Sequence, residues 1–222
     1  AGRPPHVEAG AEVRGARRHA SELIRTVAFT LERVGVAPNE LDGIVVGDGP
    51  GSFTGLRIGW ATAKGLAQEA GLELVAVPSL LAAAAGASLR EPVAAWFDAL
   101  RGEIFGALYV VHPDRVETLV APMVGRPLDF IAKAPVPAAL VVGDGAVRYA
   151  PEAESWSGRP PVGLDRLPPG APLLLSLLER PGAARVLDDP LTAEPHYGRL
   201  AEAQVRWEAI HGPLPDPPGP AH

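Results

Sequence analysis

The stretch GIVVGDGPGSFTGLRIG, residues 43–59, joins an apolar run to a glycine-rich loop and then to the start of a helical pattern. Residues 44–46 predict a buried strand, and residues 54–70 predict a helix. Glycines between the two permit positive φ angles and close backbone approach, and Ser52 or Thr54 can cap the helix. Unpaired N–H groups at the start of that helix suit an anion or the backbone of a partner. The predicted loop comprises Gly47, Gly49, Pro50, Gly51, Ser52, Phe53 and Thr54.

Outward from this stretch, helical and strand patterns alternate along the chain, which is typical of the α/β class. Three-to-four spacing of apolar residues predicts helices over 18–36, 54–70, 79–86, 127–132, 172–180 and 200–210. Strands are predicted over 44–46, 72–77, 93–98, 103–111, 116–120 and 139–142. The Pro- and Gly-rich residues 151–170 predict an irregular connection, and residues 192–197 an extended segment.

The five letters VVGDG occur twice, at residues 45–49 and 141–145. Each copy ends a predicted strand that follows a predicted helix. This shared context indicates two related halves, each a βββαβα unit with a mixed sheet. The second copy lacks the continuation PGSFT. The halves are therefore predicted to share architecture and not chemistry.

The composition excludes several classes of site and protein. The 222 residues contain no cysteine, so a disulfide framework, a thiolate metal site and a cysteine nucleophile are excluded. A formal charge of −6 argues against direct, tight nucleic-acid binding. No apolar run reaches the roughly 18 residues that span a bilayer, and no secretory segment opens the sequence. We expect a cytoplasmic protein without membrane contact.

Motifs for catalysis are incomplete in this sequence. The glycine loop lacks the Lys-Ser/Thr pair of a phosphate-binding P-loop. The dinucleotide-binding pattern Gly-x-Gly-x-x-Gly is not completed either, whether it is started at Gly47 or at Gly49. Ser52 does not stand at the centre of a Gly-x-Ser-x-Gly elbow, so capping is its predicted role. The six histidines stand alone, without a partner at metal-ligand spacing. We predict neither catalytic residues nor a metal site.

Small residues recur every four positions in the helix over 54–70, at Gly55, Gly59 and Ala63. Such a stripe lets another helix approach closely. The stripe can pack against the protein's own sheet or the helix over 18–36, or it can dock a helix of another chain. Leu56 and Trp60 beside it can be anchors for that partner or core residues.

Several segments together resemble the bacterial TsaB (YeaZ) family. The most specific is the glycine motif, and the other matches follow in the family's order over about residues 17 to 208. The matching segments are GPGSFTGLRIG (49–59), AKGLA (63–67), RHA (18–20), DALRGEIF (98–105) and AEPHYGR (193–199).

The resemblance implies an actin-like ASKHA fold of two lobes, with boundaries at 1–88 and 89–199. After them the residue pattern predicts a C-terminal helix at 200–211, and the prolines of residues 212–222 predict a disordered tail. It implies a non-catalytic subunit of the complex that makes N6-threonylcarbamoyladenosine at position 37 of ANN-decoding tRNAs. This subunit would stabilise the transferase TsaD together with the ATPase TsaE, would form homodimers when alone, and would reach tRNA only through the complex. ATP and metal are expected on those partners, with no cofactor of its own. Partner contacts are expected at His19, Leu23, Val27, Leu56, Gly55, Gly59, Trp60 and Ala63.

The sequence departs from the family pattern at its start. Family members open with a strand carrying an Asp-Thr-Ser/Thr loop and a second strand, and no such segment precedes residues 7–11 here. Losing a central strand would expose the hydrogen-bonding groups of its neighbours. We therefore expect residues before Ala1, and we expect a nucleotide site in the first lobe to be weakened without them.

Three hypotheses remain for the function. The first is the docking subunit. The second is an actin-like ATPase or kinase that acts alone through the glycine loops at 47–52 and 143–145. A peptidase is the third, and the missing metal site and triad argue against it.

Overall fold

The computed structural model describes residues 1–12, 19–87, 90–167 and 170–198. Side chains of residues 19–21 lie outside this description. The helices are α1 His19–Val34, α2 Phe53–Ala70, α3 Ser79–Ala87, α4 Pro127–Lys133, α5 Asp144–Arg148, α6 Ala150–Ser157 and α7 Ala171–Leu177, with a 3-10 turn at Pro38–Glu40. The strands are β1 Gly43–Gly47, β2 Glu73–Val77, β3 Pro92–Asp98, β4 Ile104–Val111, β5 Val116–Gly125, β6 Leu140–Val142 and β7 Arg185–Val186.

The first sheet has the strand order β1-β2-β7. Strands β1 and β2 are parallel, as expected for strands joined through a helix, and β7 pairs antiparallel to β2. Within the described ranges β1 has a neighbour on one side only. Helix α2 covers this sheet with Trp60, Ala63 and Ala67, which pack against the buried Leu74 and Ala76.

The second sheet has the strand order β5-β4-β3-β6. Along the chain its elements are three strands, a helix and a fourth strand, as predicted. Strands β3, β4 and β5 form an antiparallel meander, and β6 returns through α4 to lie parallel to β3. On one face an aromatic cluster joins Trp96, Phe130 and Trp156, with Trp96 and Trp156 stacked at 5.8 Å. On the other face α3 packs, and its Leu80–Ala84 segment is fully buried among residues of both sheets.

Both copies of the repeated pentapeptide end a parallel strand and lead into a helix, as predicted. One glycine of each copy adopts positive φ, at different positions of the repeat: the second glycine in the first copy, Gly49 at +93°, and the first glycine in the second copy, Gly143 at +120°. A Cβ at Gly143 would lie 2.0 Å from the carbonyl oxygen of Trp96, so only glycine fits there. The mixed α/β class with mixed sheets is confirmed.

The prediction of an irregular connection over 151–170 is wrong for its first part, because residues 150–157 form α6. Pro151 lies in the first turn of this helix, where a missing N–H breaks no hydrogen bond. The same helix buries Ala153 and packs Trp156 on the aromatic cluster. Strand β7 was not predicted, since two residues carry no periodic pattern. The helix predicted over 200–210 and the tail over 212–222 lie outside the described residues.

Among the helices of the described ranges, none has the length and apolar character needed to cross a lipid bilayer.

Candidate functional site

The glycine loop leads directly into α2, and Ser52 caps the helix as predicted. The Ser52 hydroxyl accepts a hydrogen bond from the Gly55 N–H at 3.3 Å. Gly71 ends the helix in the left-handed conformation, with its N–H bonded to the Ala67 carbonyl. The loop therefore fixes where α2 begins and which way it points.

At the start of the loop the backbone N–H groups donate hydrogen bonds within the protein itself. The Asp48 N–H donates to the Val77 carbonyl at 2.8 Å, and the Gly49 N–H donates to the Ser79 hydroxyl at 3.2 Å. The Trp60 indole donates to the Gly47 carbonyl at 3.0 Å. A phosphate cradle needs free N–H groups that point at the ligand. Donors at Asp48 and Gly49 are already occupied, which weakens that interpretation of the loop.

Asp48 is buried, with 4% of its surface exposed, and its carboxylate contacts the side chains of Arg185 and His196. Arg185 donates from Nη2 to both carboxylate oxygens, at 3.0 and 3.1 Å, and His196 Nδ1 lies 2.8 Å from Oδ2. The His196 N–H also donates to the Asp48 carbonyl at 2.8 Å. We call Asp48, Arg185 and His196 the Asp48 cluster. The cluster clamps β7 and the segment 188–198 onto the glycine loop.

A cleft of about 710 Å³ lies beside the Asp48 cluster, between the two sheets. Asp48 and Arg185 line one wall, and Phe105 and Met123 of the second sheet line the other. The cleft is large enough for a small molecule. Its Asp48 carboxylate is engaged by the cluster, so the wall offers no free acid. The described residues contain no group of three side chains that could hold a metal ion.

Two glycines of α2 have open space where a side chain would stand. A Cβ added at Gly59 or Gly65 would meet no atom of another part of the protein within 4 Å, and one at Gly55 would touch only Ser52. A glycine inside a helix costs about 1 kcal/mol relative to alanine. Packing within the protein gives no reason for a glycine, with this cost, at Gly59 or Gly65.

The predicted contact residues of α2 fall on two faces. Trp60 and Ala63 are 2% and 6% exposed, and both pack against the first sheet. They are core residues, and the interpretation of Trp60 as a partner anchor is corrected, because the helix turns its indole toward the Gly47 carbonyl. Leu56 is half-buried beside Gly49, whereas Gly55 and Gly59 remain accessible.

Helix α1 divides its apolar residues in a similar way. The predicted contacts Leu23 and Val27 are half-buried, on the side that leads to the buried Leu31. Ile24 and Phe29, which were not predicted, are 57% and 51% exposed. Apolar spacing marks a wide stripe but does not tell which edge of it faces the protein. His19 begins α1, and its side chain lies outside the described part.

The Asp48 cluster was also missed by reasoning from sequence. Arg185 and His196 lie 137 and 148 residues from Asp48 in the chain. The repeated pentapeptide was the one signal that pointed to Asp48. Its counterpart Asp144 binds the Asp98 N–H at 3.1 Å instead, so the two copies differ in their chemistry as predicted.

Comparison with known proteins gives one family and several relatives. A family model described as TsaD, tRNA N6-adenosine threonylcarbamoyltransferase, matches residues 13–148. A Bacillus subtilis protein named tRNA threonylcarbamoyladenosine biosynthesis protein TsaB is 29% identical over 86% of this chain and 84% of its own. An uncharacterized protein of Mycobacterium tuberculosis is 34% identical over 76% of this chain and 78% of its own. The structure of YeaZ from Pseudomonas aeruginosa superposes with a TM-score of 0.60 at 31% identity, over 73% of this chain and 77% of that one. The fold is thereby of the actin-like ASKHA type.

Proposed function

The chain belongs to the TsaB (YeaZ) family, and we propose that it is a non-catalytic subunit of the complex that makes N6-threonylcarbamoyladenosine at position 37 of ANN-decoding tRNAs. Relatives over most of the chain length carry the name of this biosynthesis. The docking of a partner is the part of this proposal that the geometry supports best.

The observation that carries the proposal is the open face of α2. Gly59 and Gly65 have no neighbour within the protein at the position of a side chain. Helix pairs approach to 8–10 Å, and the closest approach needs small residues at the contact. A partner helix that fills this space gives a physical reason for glycines that internal packing does not need.

Helix α1 lies next to α2 and has exposed apolar residues of its own. Helices α1 and α2 contact each other, and α1 exposes Ile24 and Phe29 to solvent. Apolar side chains at the centre of an interface contribute most of its binding energy. We propose that the docking surface consists of the exposed Ile24 and Phe29 of α1 together with Gly55, Gly59 and Gly65 of α2, with Leu23, Val27 and Leu56 at its inner border.

The partner on this surface is TsaD, and TsaE joins the pair. Alone, the chain forms a homodimer through much the same surface. ATP and metal belong to the partners, tRNA is reached through the complex, and the complex works in the cytoplasm. In support, the oxygens of the chain's own Asp48 carboxylate are engaged within the protein by Arg185 and His196.

An actin-like ATPase or kinase is the second candidate, and the cleft beside the glycine loop favours it. We expect titration of the full chain with ATP and Mg²⁺ in a calorimeter to give no binding at micromolar affinity and no turnover, because the loop's first donors are already bonded. The same calorimetric titration with ADP and Mg²⁺ is the matched control. Micromolar binding accompanied by ATP hydrolysis would overturn the subunit assignment.

A further inference from the structure

The cleft between the two sheets combines one charged cluster with an otherwise apolar lining. Among the residues that line it, the ionisable ones are Asp48, Arg185 and His196, which are the Asp48 cluster. The larger apolar side chains of the lining are Leu80, Phe105, Pro122, Met123 and Val124. Few polar groups in an apolar cleft are typical of a site for a small molecule, whose charged end the polar groups would orient.

Arg185 and His196 expose their head groups although the carboxylate between them is buried. The Arg185 side chain is 43% exposed and that of His196 is 72% exposed, against 5% for Asp48. Both head groups contact the same oxygen, Oδ2 of Asp48, at 3.1 and 2.8 Å. A buried carboxylate thus holds a guanidinium and an imidazole side by side at the cleft.

The contact with Asp48 uses only part of each head group. Arg185 bonds the carboxylate through Nη2, and His196 contacts it through Nδ1. Within the described ranges, Nε and Nη1 of Arg185 and Nε2 of His196 make no hydrogen bond. An ionised carboxylate only accepts hydrogen bonds, so Nδ1 is the donor of its pair, and a second proton on the ring makes Nε2 a donor too. Both side chains can therefore donate to a ligand in the cleft.

The backbone on both sides of His196 is tied to helix α2. Glu194 lies 3.6 Å from the Lys64 ammonium, and the ring centroids of Tyr197 and Phe53 lie 4.9 Å apart. These contacts hold the segment that carries the imidazole. A donor that is already in position lowers the ordering cost of binding a ligand.

The charge of the cluster matches a ligand with a single negative charge. When both ring nitrogens of His196 are protonated, the two positive groups exceed the one carboxylate by one charge. A carboxylate neutralises this excess, whereas a phosphate dianion would bring surplus negative charge next to the buried Asp48. The backbone donors that a phosphate site uses are also engaged, because the N–H groups of Asp48 and Gly49 are bonded within the protein.

We propose that the Asp48 cluster binds the carboxylate of a small molecule whose aromatic or aliphatic body lies against Phe105 and Met123. Arg185 and the protonated His196 donate hydrogen bonds to the carboxylate. Such a ligand contacts residues of both sheets. The inference does not rest on the proposed docking of a partner, since every residue of the site belongs to this chain.

The test titrates the ¹⁵N-labelled full chain with 3-phenylpropionate, which carries one carboxylate and one aromatic ring, and follows the protein by NMR. We expect a dissociation constant of about 1 mM, as for a probe of this size. Binding should be tighter at about pH 6 than at about pH 8, because histidine rings lose their second proton in this range. Carboxylates and guanidinium groups, the other ionisable groups of the lining, keep their charge between these values.

His196→Gln is the variant that tests the site, since glutamine keeps a donor for Asp48 but carries no charge. We expect the variant to bind the probe about tenfold more weakly, as for the loss of a hydrogen bond to a charged group. It should also lose the pH dependence. His112→Gln is the matched control and should keep wild-type affinity, because His112 pairs with Glu117 at 3.3 Å and does not line the cleft.

Each further outcome decides one part of the proposal. Unchanged affinity and pH dependence in a folded His196→Gln, or no binding by the wild-type chain, would overturn the site. Equal affinity for the neutral 3-phenylpropionamide would overturn the recognition of an anion, and tighter binding of phenyl phosphate would overturn the choice of a carboxylate.

The wild-type chain keeps the proposal testable if His196→Gln does not fold. The ring nitrogens of His196 should shift toward the imidazolium form when the probe is added at about pH 8, because the bound carboxylate favours the second proton. Ring signals that stay unchanged while the probe binds would overturn the role of His196.

Discussion

Gly59→Leu is expected to abolish pairing with TsaD and leave the monomer folded. An added Cβ at Gly59 meets no atom of another part of the protein within 4 Å, so a side chain can begin there without a clash. Leucine is also a better helix former than glycine. A partner helix seated over Gly59 loses its closest contact, and we expect affinity to fall by more than about a hundredfold, as at an interface hot spot. Co-purification with TsaD measures the pairing, and circular dichroism measures the fold.

Ala63→Leu is the matched control, because it lies one turn further along α2 but faces the sheet. Ala63 is 6% exposed within the core of the first sheet. Extra methylene groups in a packed core cost about 1–3 kcal/mol. The control should therefore lower the melting temperature where Gly59→Leu does not. Recovery of Gly59→Leu with TsaD at wild-type yield would contradict the docking assignment.

Trp60→Ala is expected to lower the free energy of unfolding by about 3–5 kcal/mol, as for large buried aromatic residues. The indole is 2% exposed, packs against Leu74 and Ala76, and donates to the Gly47 carbonyl. Urea unfolding measures the change, with Leu128→Ala, which is 65% exposed, as the control that stays near wild type. A loss below about 1 kcal/mol for Trp60→Ala, in the range of surface substitutions, would mean that Trp60 is not a core residue.

The local features of this fold could be predicted from the sequence. The capped start of α2, the strand before it and the βββαβ order of the second sheet are encoded by neighbouring residues, such as Ser52 with Gly55 and the apolar runs of β3 and β4. Periodicity and turn residues act over a few positions, which is the range in which sequence patterns are informative.

Contacts between distant segments could not be predicted. No pattern in the sequence joins Asp48 to Arg185 and His196, and nothing in the four-residue spacing of Gly55, Gly59 and Ala63 tells that Ala63 turns inward. An α-helix turns by about 100° per residue, so residues four positions apart do not lie exactly above one another but are rotated by about 40° around the axis. Over two turns the stripe passes from the accessible face to the packed face.

The two halves of the chain differ at the place where the repeat ends. After Gly49 the chain builds an 18-residue helix with three glycines on its accessible side. In the second copy the five-residue helix α5 already begins at Asp144, and α6 follows it and carries Trp156 into the aromatic cluster. The second half thus uses its helices for its own core. Only the first half has a long helix with open glycine positions in the described ranges.

The central claim is that the chain acts by pairing with TsaD, and size-exclusion chromatography with light scattering tests it most directly. The full chain is run alone and after mixing with the TsaD of the same organism. We predict that the mixture elutes as a heterodimer with the mass of one copy of each protein, and that the chain alone elutes as a homodimer. Separate elution of the two proteins at micromolar concentration would contradict the claim.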